Sequence, residues 1–522
     1  MGKYVASIDA GTMGVRCAIF DLEGVQVSSD YHETPTFYPK PGWVEQSAYD
    51  VIELAYQSVR GAIAKGNINA DEISSLSFTN QRTTIVPIDK DGKFLTNMLI
   101  WQDLRGAEIF PWAREQLAKH GMTEMDLYNR CGHPLGAVQC GTRAFWLKEK
   151  MPEVYENTYK MVTPHAMLAH AFGADEWIEE ESDNNWFLVT NGDTFQFDPE
   201  LCDIFGMDIN KYPKSAKPGT FIGSVTDEVA KKTGLKKGTP LYVGSGDQQC
   251  GAAGVGNSGT PGLGSVCLGT AGLCIGYSAT PVRDPNGKCH VLGHPAGGYT
   301  MEGHASAAAS SFRWLRNSIA QFEMTTAEIS GMDVYDIMSA TAGRAPIGSK
   351  GTMFLPWLAG AACPHYDENA RGALIGMTLG TTKAEMLRAA MEGICFEMRE
   401  MLDALKAAGF SDFKKLRITG GAAHSKLWND IQANVYGCTV ETVEAPEATA
   451  LGAAMVGAVG AGIFKDLAEA SDHMVHVKDV YEPDEKKMAQ YNEVFDVWQS
   501  CYYGLAKEAF PKIKDYQEKY SK

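Results

Sequence analysis

Tyr4-Val5-Ala6-Ser7-Ile8-Asp9-Ala10-Gly11-Thr12-Met13-Gly14-Val15-Arg16-Cys17-Ala18-Ile19-Phe20 opens the chain with two apolar runs joined by a small, polar turn. Asp21-Leu22-Glu23-Gly24 then supplies turn chemistry ahead of Val25-Gln26-Val27. The gaps are too short for a crossover helix, so the stretch reads as an antiparallel meander and not a βαβ unit. The pattern returns halfway along. Ser265–Leu268 leads into Gly269-Thr270-Ala271-Gly272 and then Leu273–Tyr277. Two readings stand: a duplicated architecture with two facing anion-binding loops, or coincidence in a chain with 54 glycines.

Working outward, Ser47 is placed to cap a helix whose apolar positions Ile52, Ala55, Tyr56, Val59 and Ile63 recur at helical spacing. Ile73–Phe78 and Pro240–Val243 read as strands, and Asp89-Lys90-Asp91-Gly92 as a hairpin turn. Helices are expected over Ala305–Ile319, Lys383–Ala408 with Gly409 just past the end, Glu447–Gly460, and the tail Asp484–Lys522. The mixture makes the fold class α/β. A length of 522 residues exceeds what one core usually supports, and two domains are expected, 1–249 and 250–522.

A net charge of −17 argues against broad binding to nucleic acid or to an anionic membrane surface. No apolar run has the length of a membrane span, and the start lacks the pattern of a secretory signal. A cytoplasmic protein is expected. The 12 cysteines, without a C-x-x-C pair, then read as reduced thiols. His290 and His294 have a metal-binding spacing for a helix, but Leu292-Gly293 between them disfavours that helix.

Six segments, in order, resemble the FGGY carbohydrate kinases over nearly the whole chain. They are Asp9–Arg16, Gly246-Asp247-Gln248-Gln249, Leu268–Gly272, Phe354–Gly360 with Pro364, Asp367 and Ala370-Arg371-Gly372, Gly372 through Gly376 to Glu392, and Thr419–Trp428. The resemblance implies two ribonuclease-H-like domains of the actin and sugar-kinase superfamily, closing over an interdomain cleft. It also implies phosphorylation of a small sugar or polyol by ATP, with Mg²⁺. A homodimer is a family-level expectation.

Phosphoryl transfer to an alcohol needs an oriented hydroxyl, an acceptor for its proton, and stabilisation of phosphate charge. Asp247 is the candidate base, although Asp after such a turn also caps a helix. By resemblance Asp9 positions Mg²⁺ through water. Gly11, Thr12 and Gly14 make the first phosphate loop, and Gly269, Thr270 and Gly272 the second. Arg16 either reaches a phosphate or forms a sheet ion pair. Gly420, Gly421, Ala422 and Asn429 are expected beside the nucleotide, whereas Lys426 and Trp428 read as packing residues.

For the acceptor, Gln81, Arg82 and Gln248 are expected to contact substrate. Trp101 and Asp103 either do so too, or form core and an Asp103–Arg105 ion pair. Glycerol kinases resemble Asn80-Gln81-Arg82 but place a Glu next, where Thr83 stands here. Gly132-His133-Pro134-Leu135 and Asp183-Asn184-Asn185-Trp186 are nearer to kinases of ketoses and of the autoinducer-2 sugar derivative. A ketose such as xylulose, or a related linear polyol, is therefore expected. Glycerol or autoinducer-2 phosphorylation, and a non-catalytic sensor or actin-like switch, are the alternatives.

Overall fold

The computed structural model describes residues 2–520 apart from Ser411 and Pro446. The opening meander is present as β1 (Tyr4–Ala10), β2 (Gly14–Asp21) and β3 (Gln26–Glu33), all antiparallel. Helix α1 (Ala48–Lys65) covers it, and the Ser47 side chain accepts from the Asp50 N–H at its start. β4 (Ile73–Asn80) runs parallel to β1, and β5 (Phe221–Ser224) and β6 (Pro240–Tyr242) complete the first sheet. Its order is β5-β6-β4-β1-β2-β3.

The second sheet repeats this plan. β7 (Leu263–Leu268), β8 (Gly272–Ser278), β9 (His290–Gly293) and β10 (Tyr299–Ala305) are antiparallel neighbours. β11 (Lys415–Thr419) and β12 (Thr439–Val443) extend it in parallel from β7, and β13 (Val477–Tyr481) closes the edge. The order is β9-β10-β8-β7-β11-β12-β13. Three antiparallel strands followed by two parallel ones, in the same order in both halves, make the duplicated architecture the correct reading of the two glycine turns.

Two helices lie between the sheets. α2 (Asp247–Gly254) begins directly at the candidate base, and α6 (Ala448–Gly460) comes from the second half but packs on the first sheet. Ser7 and Ser77 of β1 and β4 donate to the Ala450 and Ala453 carbonyls at 2.7 and 2.6 Å. The helices cross backbone on backbone. A Cβ on Gly452 would lie 1.8 Å from the Cys250 carbonyl oxygen, and one on Gly254 1.8 Å from that of Ala448. Both positions therefore need glycine for close approach.

One helix expectation is corrected. Residues 305–308 belong to the end of β10 and a turn, and α3 runs only over Ala309–Ile319 because its first-turn N–H groups face the second loop. His290 lies on a strand, and no group of metal-ligating residues occurs among the described residues. The long helix α4 (Lys383–Ala407) and α7 (Glu485–Ala506) fall as expected, with α5 (Lys426–Tyr436) between them and a helix over Ala509–Tyr520 at the end. The last two residues of that tail lie outside the described residues. No described helix is long and apolar enough to cross a membrane.

A candidate active site between the two sheets

The two turns at the tops of the meanders face the space between the sheets. In the first, Asp9 pairs with Arg16 and Ala10 with Val15 across β1 and β2, leaving Gly11–Met13 as the loop. Gln81 donates to Gln46 (2.7 Å), and Gln46 donates to the Thr12 carbonyl (2.8 Å). Trp101 donates its indole N–H to Thr12 Oγ1 at 2.8 Å. Thr12 is thus held by Gln46 and by Trp101, with Gln81 behind Gln46. In the second turn, the Gly269 and Thr270 carbonyls accept from the first N–H groups of α3, and Ser310 Oγ donates to Thr270 O at 2.7 Å. The loop is tied to α3 because its carbonyls satisfy the helix start.

Two cavities of about 430 Å³ each open beside these loops, and Gly269 and Thr270 line both. One lies wholly in the second half. Gly421 and Ala422 form part of its wall, with Phe312, Tyr335 and Trp428 supplying flat apolar surface. The rings of Phe312 and Trp428 are 5.0 Å apart. Trp428, expected only to pack, therefore lines this cavity. Gly420 and Asn429 do not; they stand behind the wall. Gly420 has φ +86°, and a Cβ there would lie 2.2 Å from the Leu268 carbonyl oxygen. Asn429 is buried and donates to the Ala423 carbonyl at 2.9 Å, fixing the turn.

The other cavity lies between the halves and contains Asp247, Gln248, Arg82, Thr12, Trp101 and Gly272 from the expected set. Gln81 is buried away from it, and its role is the support of Thr12 just described. Asp103 corrects the expectation further. It is fully buried and accepts from Val44 N (2.7 Å) and from Arg105 Nε and Nη2 (2.8 Å each). Burying a carboxylate demands such pairing. Of the two readings, the ion pair holds for Asp103–Arg105, while Trp101 is 41% exposed and faces the cavity. Arg16 forms the sheet ion pair, 3.2 Å from Glu447, with its guanidinium over Tyr31.

Arg82 organises the floor. Its Nε lies 3.1 Å from Asp247 Oδ1, and its Nη1 donates to Glu302 Oε1 at 2.7 Å. Gln249 donates to the same Glu302 oxygen at 2.6 Å, and Arg82 stacks 5.2 Å from the Trp186 ring centre. Thr83, which follows, has φ +58°, costly for a β-branched residue, and buried Arg143 holds its carbonyl in place. Burial pushes the Asp247 carboxyl above the usual range, and Arg82 opposes the shift. Asp9 is pushed up to about 7, first by burial and then by Asp247 and Glu447. Its Oδ1 is buried with no hydrogen-bond partner.

Sequence reading missed four cavity residues: Trp186, His290, Glu302 and His304. His290 pairs with Glu302 across β9 and β10, so both side chains share a face with His304 two residues on. Polar residues at alternate positions of an otherwise buried strand were the available signal.

Two family models match the chain in tandem: the N-terminal domain of the FGGY family of carbohydrate kinases over residues 4–254 and its C-terminal domain over 264–461. A xylulose kinase of Bacillus subtilis is 29% identical over 509 residues, spanning 96% of this chain and 97% of that protein. A glycerol kinase of Acaryochloris marina is 29% identical over 479 residues, spanning 89% and 91%. In fold, the chain matches the ligand-bound xylulose kinase from Lactobacillus acidophilus with a TM-score of 0.87 at 24% identity, covering 98% and 99% of the two chains. The chain belongs to the FGGY family of carbohydrate kinases and is a phosphotransferase that uses ATP on a hydroxyl of a sugar or polyol.

Proposed function

We propose that the acceptor is a ketose such as xylulose, or a related linear polyol, bound in the cavity between the halves with Asp247 as general base. The observation that carries this reading is the shared wall. Asp247 lies in the acceptor cavity, and Gly269 and Thr270 separate that cavity from the one suited to the nucleotide. A substrate hydroxyl gives its proton to the Asp247 carboxylate, its oxygen attacks the γ-phosphorus of ATP, and ADP leaves. Arg82 on Oδ1 opposes the upward push of burial on the Asp247 carboxyl and leaves the second oxygen for the hydroxyl. N–H groups of Gly11–Gly14 and Gly269–Gly272 meet the phosphate oxygens.

Magnesium prefers oxygen ligands and retains several waters, so one carboxylate with a spare oxygen suffices to hold it. Asp9, with its unpartnered Oδ1 and the nearby Asp247, fits that requirement. When bound, the ion would neutralise phosphate charge. A division of the chain at residues 249/250, inside α2, keeps each sheet within one unit.

Glycerol is disfavoured. Thr83 removes the carboxylate expected beside Arg82, and the Glu302 carboxylate is already occupied by Arg82 and Gln249. A coupled ADP-release assay over glycerol, D-xylulose, D-ribulose, L-ribulose, erythritol and the autoinducer-2 precursor tests the reading. One ketose is expected to raise the rate well above the no-acceptor control. Asp247→Ala is expected to lower it at least about 100-fold. Full turnover in Asp247→Ala, or glycerol as the best acceptor, would overturn the assignment.

A further inference from the structure

His290 stands in the acceptor cavity at the end of a chain of buried polar groups that no catalytic step uses. Asn185 starts it. Its Nδ2 donates to the Val291 carbonyl at 2.9 Å and lies 2.9 Å from His133 Nε2. Its Oδ1 accepts from Thr190 Oγ1 at 2.6 Å, and this pair of contacts fixes which end of the amide is the donor. His133 Nε2 therefore carries a lone pair, and the proton of that neutral ring is on Nδ1. His133 Nδ1 lies 3.1 Å from His290 Nδ1, so it donates and His290 Nδ1 accepts. The one N–H left to His290 is on Nε2, the nitrogen not engaged by His133.

Both rings are almost fully buried. Desolvation holds each well below the ordinary histidine range, so both stay neutral and the polarity of the chain cannot be lost by protonation near pH 7. Trp186, which also lines the cavity, packs on both rings at 4.3 and 4.9 Å between centroids and leaves little room for either to turn over.

We infer that His290 is an acceptor-binding residue, donating from Nε2 to an oxygen of the sugar, and that Asn185 and His133 are positioning residues that impose this polarity. The inference rests on the cavity between the halves being the sugar site. It assigns complementary chemistry to two of its walls. Asp247 accepts a proton from the reacting hydroxyl, while His290 offers a donor with no lone pair on that face. A carbonyl oxygen, which only accepts, suits such a donor, and a ketose carries one.

The test begins with histidine-ring ¹⁵N spectra of the unaltered full-length protein, with His290→Gln identifying the signal. An unprotonated Nδ1 and a protonated Nε2 at His290 are expected; a protonated Nδ1 overturns the chain of donors, whatever the enzyme's substrate. With the acceptor found in the ADP-release panel, His290→Phe is expected to raise its KM about tenfold or more, because a neutral hydrogen bond to substrate is lost, and to leave the KM for ATP unchanged. His290→Gln, which keeps an N–H, is expected to recover part of that loss. An unchanged acceptor KM in His290→Phe overturns the binding role. Retained turnover in Asp247→Ala would instead count against the kinase mechanism and leave the ¹⁵N result standing.

Discussion

Asp9 is expected to weaken the fold that it serves. Its carboxyl is pushed from 3.8 to about 7 by burial and by the neighbouring Asp247 and Glu447. Because the folded pKa is the higher one, the native state holds the proton that the unfolded chain has released. Stability is then full below pH 4 and falls as pH rises through 7. The difference between 3.8 and about 7 corresponds to about 4 kcal/mol, at roughly 1.4 kcal/mol for each tenfold change in proton affinity. Asp9 is partly exposed, so solvent screening reduces the effect, and about 2 kcal/mol is the working figure. Asp9→Asn removes the charge and keeps the shape. Urea unfolding of both proteins without nucleotide, at half-unit steps from pH 4 to 9, isolates the effect. The variant is expected to gain about 2 kcal/mol over the parent by pH 8, roughly 0.8 kcal/mol at pH 5 and only a few tenths of a kcal/mol at pH 4, while losing kinase activity. Parallel stability curves for the two proteins across this range would refute the reasoning.

Two further outcomes test the scaffold. Gly452→Ala places a methyl 1.8 Å from the Cys250 carbonyl oxygen, so α2 and α6 must separate; a loss of about 2–3 kcal/mol in urea unfolding is expected, and unchanged stability would deny the close crossing. Asp103→Ala leaves Arg105 buried with only Glu45 as a partner, so a loss of about 3 kcal/mol is expected, with the acceptor KM hardly altered. A large rise in KM at unchanged stability would return Asp103 to the substrate site.

The fold was legible because its deciding feature is local. Two apolar runs hinged on three or four small residues can only pair antiparallel, and the same device occurs twice. What local reading could not supply was the destination of α6. Its composition, rich in Ala and Gly, announces close packing, but the partner is the first sheet, more than 350 residues away in sequence from Ala453 to Ser77. The site divided along the same line. Loop residues picked out by backbone shape, such as Thr12, Gly269, Thr270 and Gly421, line the two cavities. Polar side chains beside those motifs were harder. Gln81 and Asn429 have the chemistry of ligand contacts but use it one layer back, on Gln46 and on the Ala423 carbonyl. Only burial separates a residue that touches a ligand from one that holds the residue that does.

The acceptor cavity is shared between the halves in a way that bears on specificity. Arg82 comes from the first sheet's side, yet its charge is answered by Glu302 on β10 as well as by Asp247 at the start of α2. His290 and His304 come from the second half, while Trp101, Thr83 and Trp186 come from the first. Neither half alone presents a complete set of donors and acceptors to a sugar. Thr83 carries no charge, and the Glu302 carboxylate is drawn onto Arg82 and Gln249, where it holds the guanidinium against Asp247. On the proposed reading, hydrogen-bond acceptance toward the substrate falls to Asp247, and donation to His290. A linear sugar with a reacting hydroxyl near one end and an oxygen that only accepts further along matches that division of labour better than a symmetrical triol does.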